Sequence, residues 1–360
     1  MKKINLFLIY PLICLGIICF ISCRKKLDKI TDNAIFVADE KGGTITVVDA
    51  ENLETIRTID LMDNGLGSHS KRMLMPHNVQ VSPNGETIWV TGSPMTEDDE
   101  AQVIVINARR LNIKKRIKVG KDQHLAHVVL DSKSKYAYVT ANEKNQVIKI
   151  DAEKFKEVAR FDLGEGKAPH GLRYYDGKVY VANLEGHSVS IIDVESGNIE
   201  EISLGGVAVQ TAISPNGSYI YVSLYDTKEI VRIDRITRLT TRIALPDDAQ
   251  GPIQMYVTPD SKQLYVCDQG GLLGRATHNK VYVVDLNSFS VIKTIETGNK
   301  THGVVIDNEG KYAYVTNSND NTLSVIDILS QTVIATLPVG LEPNGVSCWH
   351  RHGETFAGKP

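Results

Sequence analysis

One short phrase recurs seven times along this chain of 360 residues, and it limits the fold more than any other feature. It is aromatic and β-branched: Ile35-Phe36-Val37-Ala38-Asp39, Ile88-Trp89-Val90-Thr91-Gly92, Tyr138-Val139-Thr140-Ala141, Tyr180-Val181-Ala182-Asn183, Tyr221-Val222-Ser223, Tyr265-Val266-Cys267-Asp268 and Tyr314-Val315-Thr316-Asn317. Each copy is followed by an apolar run that ends in Asp or Asn, at Asp49, Asn107, Asp151, Asp193, Asp234, Asp285 and Asp327. Successive valine anchors are 53, 49, 42, 41, 44 and 49 residues apart. Internal periods of this length mark repeat architectures.

Every segment is a short run rich in Val, Ile, Tyr and Thr with turn residues on either side, which reads as strand. No stretch holds a helical period for three turns. Each repeat has four such segments: b (the Tyr-Val phrase), c (ending in Asp), d (such as Val291–Ile295) and a (such as His302–Ile306). A four-stranded repeat of forty-odd residues is a propeller blade. The series opens with a b strand at Ile35 and ends with an a strand at Asn344–Cys348. The fold class is therefore all-β, a seven-bladed β-propeller in which the C-terminal strand pairs with the N-terminal blade. Closure of this kind leaves no open sheet edge. Doubly apolar pairs such as Ile191-Ile192 and Val283-Val284 suit strands buried on both faces.

Tyr138-Val139-Thr140, Tyr314-Val315-Thr316-Asn317, Leu323-Ser324-Val325-Ile326-Asp327, Pro169-His170-Gly171, and the turns Ser82–Gly85 and Ser214–Gly217 resemble the wording of the YVTN-type β-propellers. The resemblance covers residues 35–349. It implies the fold. Related architectures include d1-haem domains, nitrous oxide reductase, amine dehydrogenase subunits and lactonases, so it implies no single activity.

Lys2 and Lys3 precede an apolar run from Ile4 to Ser22, as in a secretory signal. The run ends in Phe20-Ile21-Ser22-Cys23, which resembles a bacterial lipobox and implies lipidation of Cys23. The expected organisation is a signal peptide at 1–22, a tether at 23–34, the propeller at 35–349 and a tail at 350–360. Removal of residues 1–22 takes two lysines and moves the net charge from −3 to −5. The expected location is the cell envelope, facing the periplasm, held to the membrane by lipid on Cys23. Arg24 follows the cysteine, which favours the outer membrane in a cell with two. A sequence pI of 6.4 gives no basic footprint for nucleic acid. The 42% hydrophobic content excludes a disordered chain. Of the five cysteines, Cys14, Cys19 and Cys23 lie in the leader, and Cys267 and Cys348 stand far apart, so a disulfide scaffold is excluded.

In an antiparallel blade the a–b and c–d turns share one face, and the b–c and d–a connections share the other. The a–b turns are tight and uniform, as at Ser82–Gly85 and Asp176-Gly177. The long connections are a d–a segment from Asp60 to Pro76 and b–c insertions from Ser93 to Ala101 and from Gln269 to Lys280. All three belong to the b–c/d–a face, which is the expected working face because loops on a rigid scaffold carry function.

When the a strands are aligned on the turns that follow them, His77, His127, His170 and His302 fall at the strand start. Val209, Ile253 and Asn344 fill that place in other blades. Four imidazoles and Asn344 would then ring the channel mouth. Convergent imidazoles suit copper, zinc, iron or haem iron, in the manner that nitrous oxide reductase gathers histidines near its axis. The plain alternative is hydrogen bonding to backbone. His77, His127 and His170 lie on successive blades while His302 lies across the channel, which argues against one ion touching all four. Met73 and Met75, with His69 nearby, would add soft ligands for Cu(I), or would pack the loop down.

His124 and His127 are three apart, and strand alternation sends them to opposite faces, a poor chelate. His350 and His352 fall in the tail. Glu97, Asp98, Asp99 and Glu100 form an acidic tip. Asp63, Glu165 and Glu185 are acids near the mouth with no base beside them. No Cys-x-x-Cys-His, Gly-x-Ser-x-Gly or P-loop is present.

The reading is a monomeric lipoprotein that binds a small ligand or an envelope protein through its long-loop face without catalysis. The alternatives are a metal- or haem-dependent redox or cofactor-handling protein, and a hydrolase of the lactonase type. The sequence supports no defined reaction.

Overall fold

A computed structural model describes residues 33–62, 73–96 and 98–350. The proposed signal peptide, Cys23, His69, Asp63, Glu97 and His352 lie outside them. The described residues form seven four-stranded antiparallel sheets and contain no helix. Blade 1 consists of strands b, c and d at Asn33–Asp39, Thr44–Asp49 and Glu54–Asp60, completed by the last strand of the chain, Pro343–His350, as its strand a. Ala34 pairs with Trp349 and Ile35 with Cys348, so the ring closes through main-chain hydrogen bonds between the two ends.

The other six blades each begin with their own a strand. These are Leu74–Val81 in blade 2, Leu125–Leu130 in blade 3, Pro169–Tyr175 in blade 4, Ala208–Ile213 in blade 5, Pro252–Val257 in blade 6 and Thr301–Ile306 in blade 7. The seven c strands end at the Asp or Asn expected from the sequence. These carboxylates and the Asn107 amide cap the c–d turns. Asp151 Oδ1, for example, accepts the N–H groups of Glu153 and Lys154 at 3.1 and 2.7 Å. Asp and Asn favour such turns because the side chain mimics a backbone acceptor two residues on.

The apolar core is divided among the seven blade interfaces. Phe36, Ile45 and Val47 of blade 1 meet Val79, Val90 and Ile104 of blade 2 in one cluster, joined by Trp349. The last interface joins Tyr314 and Val325 of blade 7 to Ile35, Val37 and Cys348 of blade 1. The phrase aromatics Trp89, Tyr138, Tyr180, Tyr221, Tyr265 and Tyr314 are all buried. The d strands form the outer rim, and that of blade 4 is mostly exposed. Cys267 and Cys348 are free, buried thiols.

Each a strand carries a β-bulge near its start. In blade 2 Pro76 pairs with Gly92 and Val79 with Val90, so His77 and Asn78 together oppose Thr91. The same shift occurs between Leu125 and Val128, Pro169 and Leu172, Ala208 and Gln210, Pro252 and Met255, and Thr301 and Val304. A bulge interrupts strand alternation and re-aims side chains. Here it lets two consecutive residues serve the channel.

The hydroxyl in the b phrase fastens this bulge. Thr91 Oγ1 accepts the N–H of Asn78 and donates to the carbonyl of Ala126 in the next blade. Thr140 does the same for His127 N–H and His170 carbonyl, Ser223 for Gln210 and Ile253, and Thr316 for Gly303 and Asn344. The Thr or Ser of the repeated phrase is thus a bridge between adjacent inner strands, set where the histidines stand.

Candidate functional site at the channel mouth

The ladder of strands a and b gives the true alignment of the histidines. Val79, Val128, Leu172, Thr211, Met255, Val304 and Val346 each pair with the valine of a b phrase. His77, His170, His302 and Asn344 lie two residues before these anchors, with Ala126, Val209 and Ile253 completing the set. His127 lies one residue before its anchor, at the place of Asn78, Gln210 and Gln254. The alignment by turns therefore misplaces His127 by one residue. In blades 1, 4 and 7 that place is held by Gly345, Gly171 and Gly303. A Cβ on Gly171 would lie 2.1 Å from Gln210 Oε1, and one on Gly303 would lie 2.4 Å from the Asn344 carbonyl. The glycine of Pro-His-Gly makes room for the neighbouring inner strand.

Five imidazoles converge, with His77 as the hub. Its ring centroid lies 5.0 Å from His124, 5.6 Å from His127, 5.4 Å from His170 and 6.0 Å from His302, and His127 and His170 are 5.0 Å apart. The ligand-capable nitrogens of His77, His127 and His170 lie within 4.8 Å of one another. His124 departs from the sequence reading. It stands just before strand a of blade 3 rather than within it, so alternation does not separate it from its neighbours, and its ring meets His77. Its Nδ1 is 3.3 Å from Ser93 Oγ.

Hydrogen-bond polarity fixes which nitrogens remain. His170 donates Nδ1–H to the carbonyl of Val209 at 3.0 Å. His302 donates Nδ1–H to Gln269 Oε1. His77 Nδ1 lies 3.2 Å from Glu40 Oε1, to which it can only donate, and 3.1 Å from Asn344 Nδ2, which itself donates to Glu40 Oε2. In the neutral rings of His170 and His302 Nε2 then holds the lone pair, and the Nε2 atoms of His77 and His302 are buried with no partner. His127 differs. Thr211 N–H donates to Gln210 Oε1, Gln210 Nε2 to Gln254 Oε1 at 2.6 Å, and Gln254 Nε2 to His127 Nε2 at 3.0 Å. This relay places the His127 proton on Nδ1, which is buried and unpartnered.

Burial holds most of the cluster neutral. It pushes His124 down to about 4 and His170 to about 3, with like charge on His77 adding to both shifts. It pushes His127 and His302 well below the usual imidazole range, again with help from neighbouring imidazoles. Glu40, on the b–c turn of blade 1, is the carboxylate of the site. Burial raises its pKa, but the charge and hydrogen bond of His77 and the amide of Asn344 outweigh burial and hold it well below the usual carboxylate range. Glu40 was not legible in the sequence, because a polar residue in a tight turn has an ordinary solvated explanation.

A cavity of about 500 Å³ opens on this cluster from the b–c/d–a face. His77, His170, His302, Glu40 and Asn344 line its polar side. Val209, Tyr225 and Ile253 line the apolar side with Leu272 and Leu273, which stand at the tip of the blade 6 insertion. That insertion is a lengthened b–c hairpin in which Gly270 pairs with Thr277.

The remaining expected residues lie elsewhere. Met73 packs beside Gly43, Met75 pairs with Ser93, and neither lines the cavity. Glu165 and Glu185 are exposed. His350 closes strand a of blade 1 and its Nδ1 meets Asn33 Oδ1 at 2.8 Å.

No protein-family model and no curated protein matches the chain. Solved structures do. Hydrazine synthase of Kuenenia stuttgartiensis aligns with 80% of this chain and 96% of that one, at 18% identity and a TM-score of 0.67. A functionally unknown protein from Desulfotomaculum acetoxidans aligns with 88% and 99%, at 14% identity and a TM-score of 0.69. Virginiamycin B lyase from Staphylococcus aureus aligns with 75% and 87%, at 17% identity and a TM-score of 0.61. At these identities the likeness establishes the fold, a seven-bladed β-propeller.

Proposed function

We propose that this protein is an exported, lipid-anchored β-propeller that holds a transition-metal ion at its channel mouth and presents it to a small ligand entering from the long-loop face. The single observation that carries this reading is a set of convergent imidazoles with Nδ1 anchored and Nε2 left over: His77 at Glu40, His170 on the Val209 carbonyl and His302 on Gln269. Metal-ligating histidines have this arrangement, in which the second nitrogen donates to a carboxylate or carbonyl and fixes the tautomer. Two imidazoles on one ion, with metal–nitrogen bonds of about 2.0–2.1 Å, have ring centroids roughly 5–6 Å apart, and the separations around His77 fall in that range. The ligands are His77 and His170 through Nε2, with His127 as the third member of the group whose nitrogens lie within 4.8 Å of one another, its proton shifting from Nδ1 to Nε2 on binding. His302 faces His77 from across the channel.

Three imidazole ligands favour copper over zinc and iron by intrinsic affinity. Three protein ligands leave an open coordination position, and the cavity supplies access to it. The lipobox-like Ser22-Cys23 supports attachment to an envelope membrane.

The test is metal analysis of the purified, untagged full chain after loading with Cu²⁺, Zn²⁺ or Fe²⁺ and desalting. One ion per chain is expected, lost in His77→Ala and His170→Ala and kept in His350→Ala. Failure to retain any ion stoichiometrically would overturn the reading.

A further inference from the structure

Beneath the histidines the channel continues into a second, smaller chamber of about 80 Å³ that extends toward the a–b turns at Pro215 and Asn308. Arg173, on strand a of blade 4, is the sole charged side chain in its lining, and no carboxylate lines it. The guanidinium donates to the neighbouring Leu172 carbonyl at 2.9 Å. Burial lowers its pKa, and the one group that acts the other way is the phenol of Tyr256, so no anionic side chain balances the charge. Its field also reaches His127, where it helps to keep that imidazole neutral. A half-buried guanidinium with no counter-charge in its chamber draws an anion to that chamber.

The lining also holds donors left over from the fold. Asn78 uses Oδ1 to accept Val128 N–H, which leaves its Nδ2 hydrogens. Ser347 Oγ accepts Val81 N–H, which leaves its own proton. Donors without acceptors around one fixed positive charge describe an anion site. The chamber volume limits the occupant to a few heavy atoms.

We propose that the lower channel binds a small monovalent anion of the halide, nitrate or formate class, held by Arg173 with Asn78 and Ser347. This site is separate from the imidazole cluster and does not depend on a metal being bound there.

The test uses the chelator-treated full chain at constant ionic strength, with sodium gluconate exchanged for sodium bromide or nitrate. Gluconate is too large for the chamber. The wild-type unfolding temperature should rise by about 2 °C or more in bromide or nitrate. Arg173→Gln should lose that rise and Arg173→Lys should keep part of it. Crystals grown in bromide should show an anomalous peak beside Arg173, which decides the matter even if Arg173→Gln fails to fold. An equal anion response in wild type and Arg173→Gln, or bromide bound only on the outer surface, would overturn the proposal. Because the protein is metal-free throughout, failure here leaves the metal reading intact, and the reverse also holds.

Discussion

Thr140 Oγ1 donates to the main-chain carbonyl of His170 at 2.7 Å, linking the b strand of one blade to the inner strand of the next. The same oxygen accepts His127 N–H at 2.9 Å. One hydroxyl therefore sets the backbone positions of two imidazoles.

Thr140→Val keeps the side-chain shape and removes both hydrogen bonds. It leaves a buried N–H and a buried carbonyl unsatisfied, which costs about 1–3 kcal/mol each. The urea midpoint should fall, and metal retention should weaken with it. Thr140→Ser should recover most of both. An unchanged midpoint in Thr140→Val would remove the bridge from the account.

Glu40→Gln tests the carboxylate behind His77. It removes the charge but keeps the size and an acceptor oxygen. Metal affinity measured by calorimetry should fall by about 10–100-fold, the usual effect of losing such a partner. Unfolding should change much less than binding. A large loss of stability with affinity intact would mean that Glu40 serves the blade 1 turn only.

The metal-free protein should lose stability as pH falls. Folded-state pKa values depressed from 6.5, to about 3 in His170 and about 4 in His124, mean that the unfolded chain binds protons that the folded chain refuses. Their contribution is complete above pH 6.5 and is lost as pH drops toward 3. His127 and His302 act in the same direction. Asp39 acts oppositely: burial raises it from 3.8 to about 6, so its share is lost as pH rises through that value. Asp131 and Asp307, also raised by burial, act with Asp39, while Glu40 and His350, both lowered, act with the four imidazoles; the unfolding midpoint should therefore fall between pH 7 and pH 4, and His170→Gln should flatten the slope. A midpoint that rises on acidification would contradict this assignment.

Trp349 tests ring closure. Its indole is buried between blades 1 and 2, and Nε1 donates to the Gly85 carbonyl at 2.8 Å. Trp349→Ala should cost about 3–5 kcal/mol, and deletion of 344–349 should prevent folding. A soluble, cooperative truncation would show that closure by the last strand is dispensable.

Reducing agent should leave unfolding unchanged, because Cys267 and Cys348 are free. Burial raises both thiols well above their usual range, so a thiol reagent should modify them only after denaturant is added. Rapid modification of the native protein would show that one of these strands opens.

Much of the fold was legible because a propeller repeats its grammar. A buried aromatic, a valine and a turn-capping Asp recur in each blade, and the offset between the first b strand and the last a strand implies closure. The site was legible only in part. Counting back from the b-strand valine, His77 is 13 residues before Val90 and His302 is 13 before Val315, but His127 is 12 before Val139. The turns that follow are of equal length in these three blades, so the offset lies in the inner strand itself, at its bulge. His124 was set aside by a rule for regular strands, which does not extend to the residue before a strand. Glu40 comes from a b–c turn more than 35 residues before the nearest histidine of the cluster, and no local pattern connects the two.

The sequence by itself determined the blade count, the strand order and the ring, because those follow from hydrophobic periodicity and turn chemistry repeated along the chain. The tertiary structure decided how the channel is furnished. Circular closure brings residues from Glu40 to Asn344 around one axis, and a bulge in each inner strand turns consecutive side chains toward it. Which nitrogen is free, which carboxylate is near and which arginine lacks a counter-charge are all properties of that convergence, since each depends on atoms contributed by different blades.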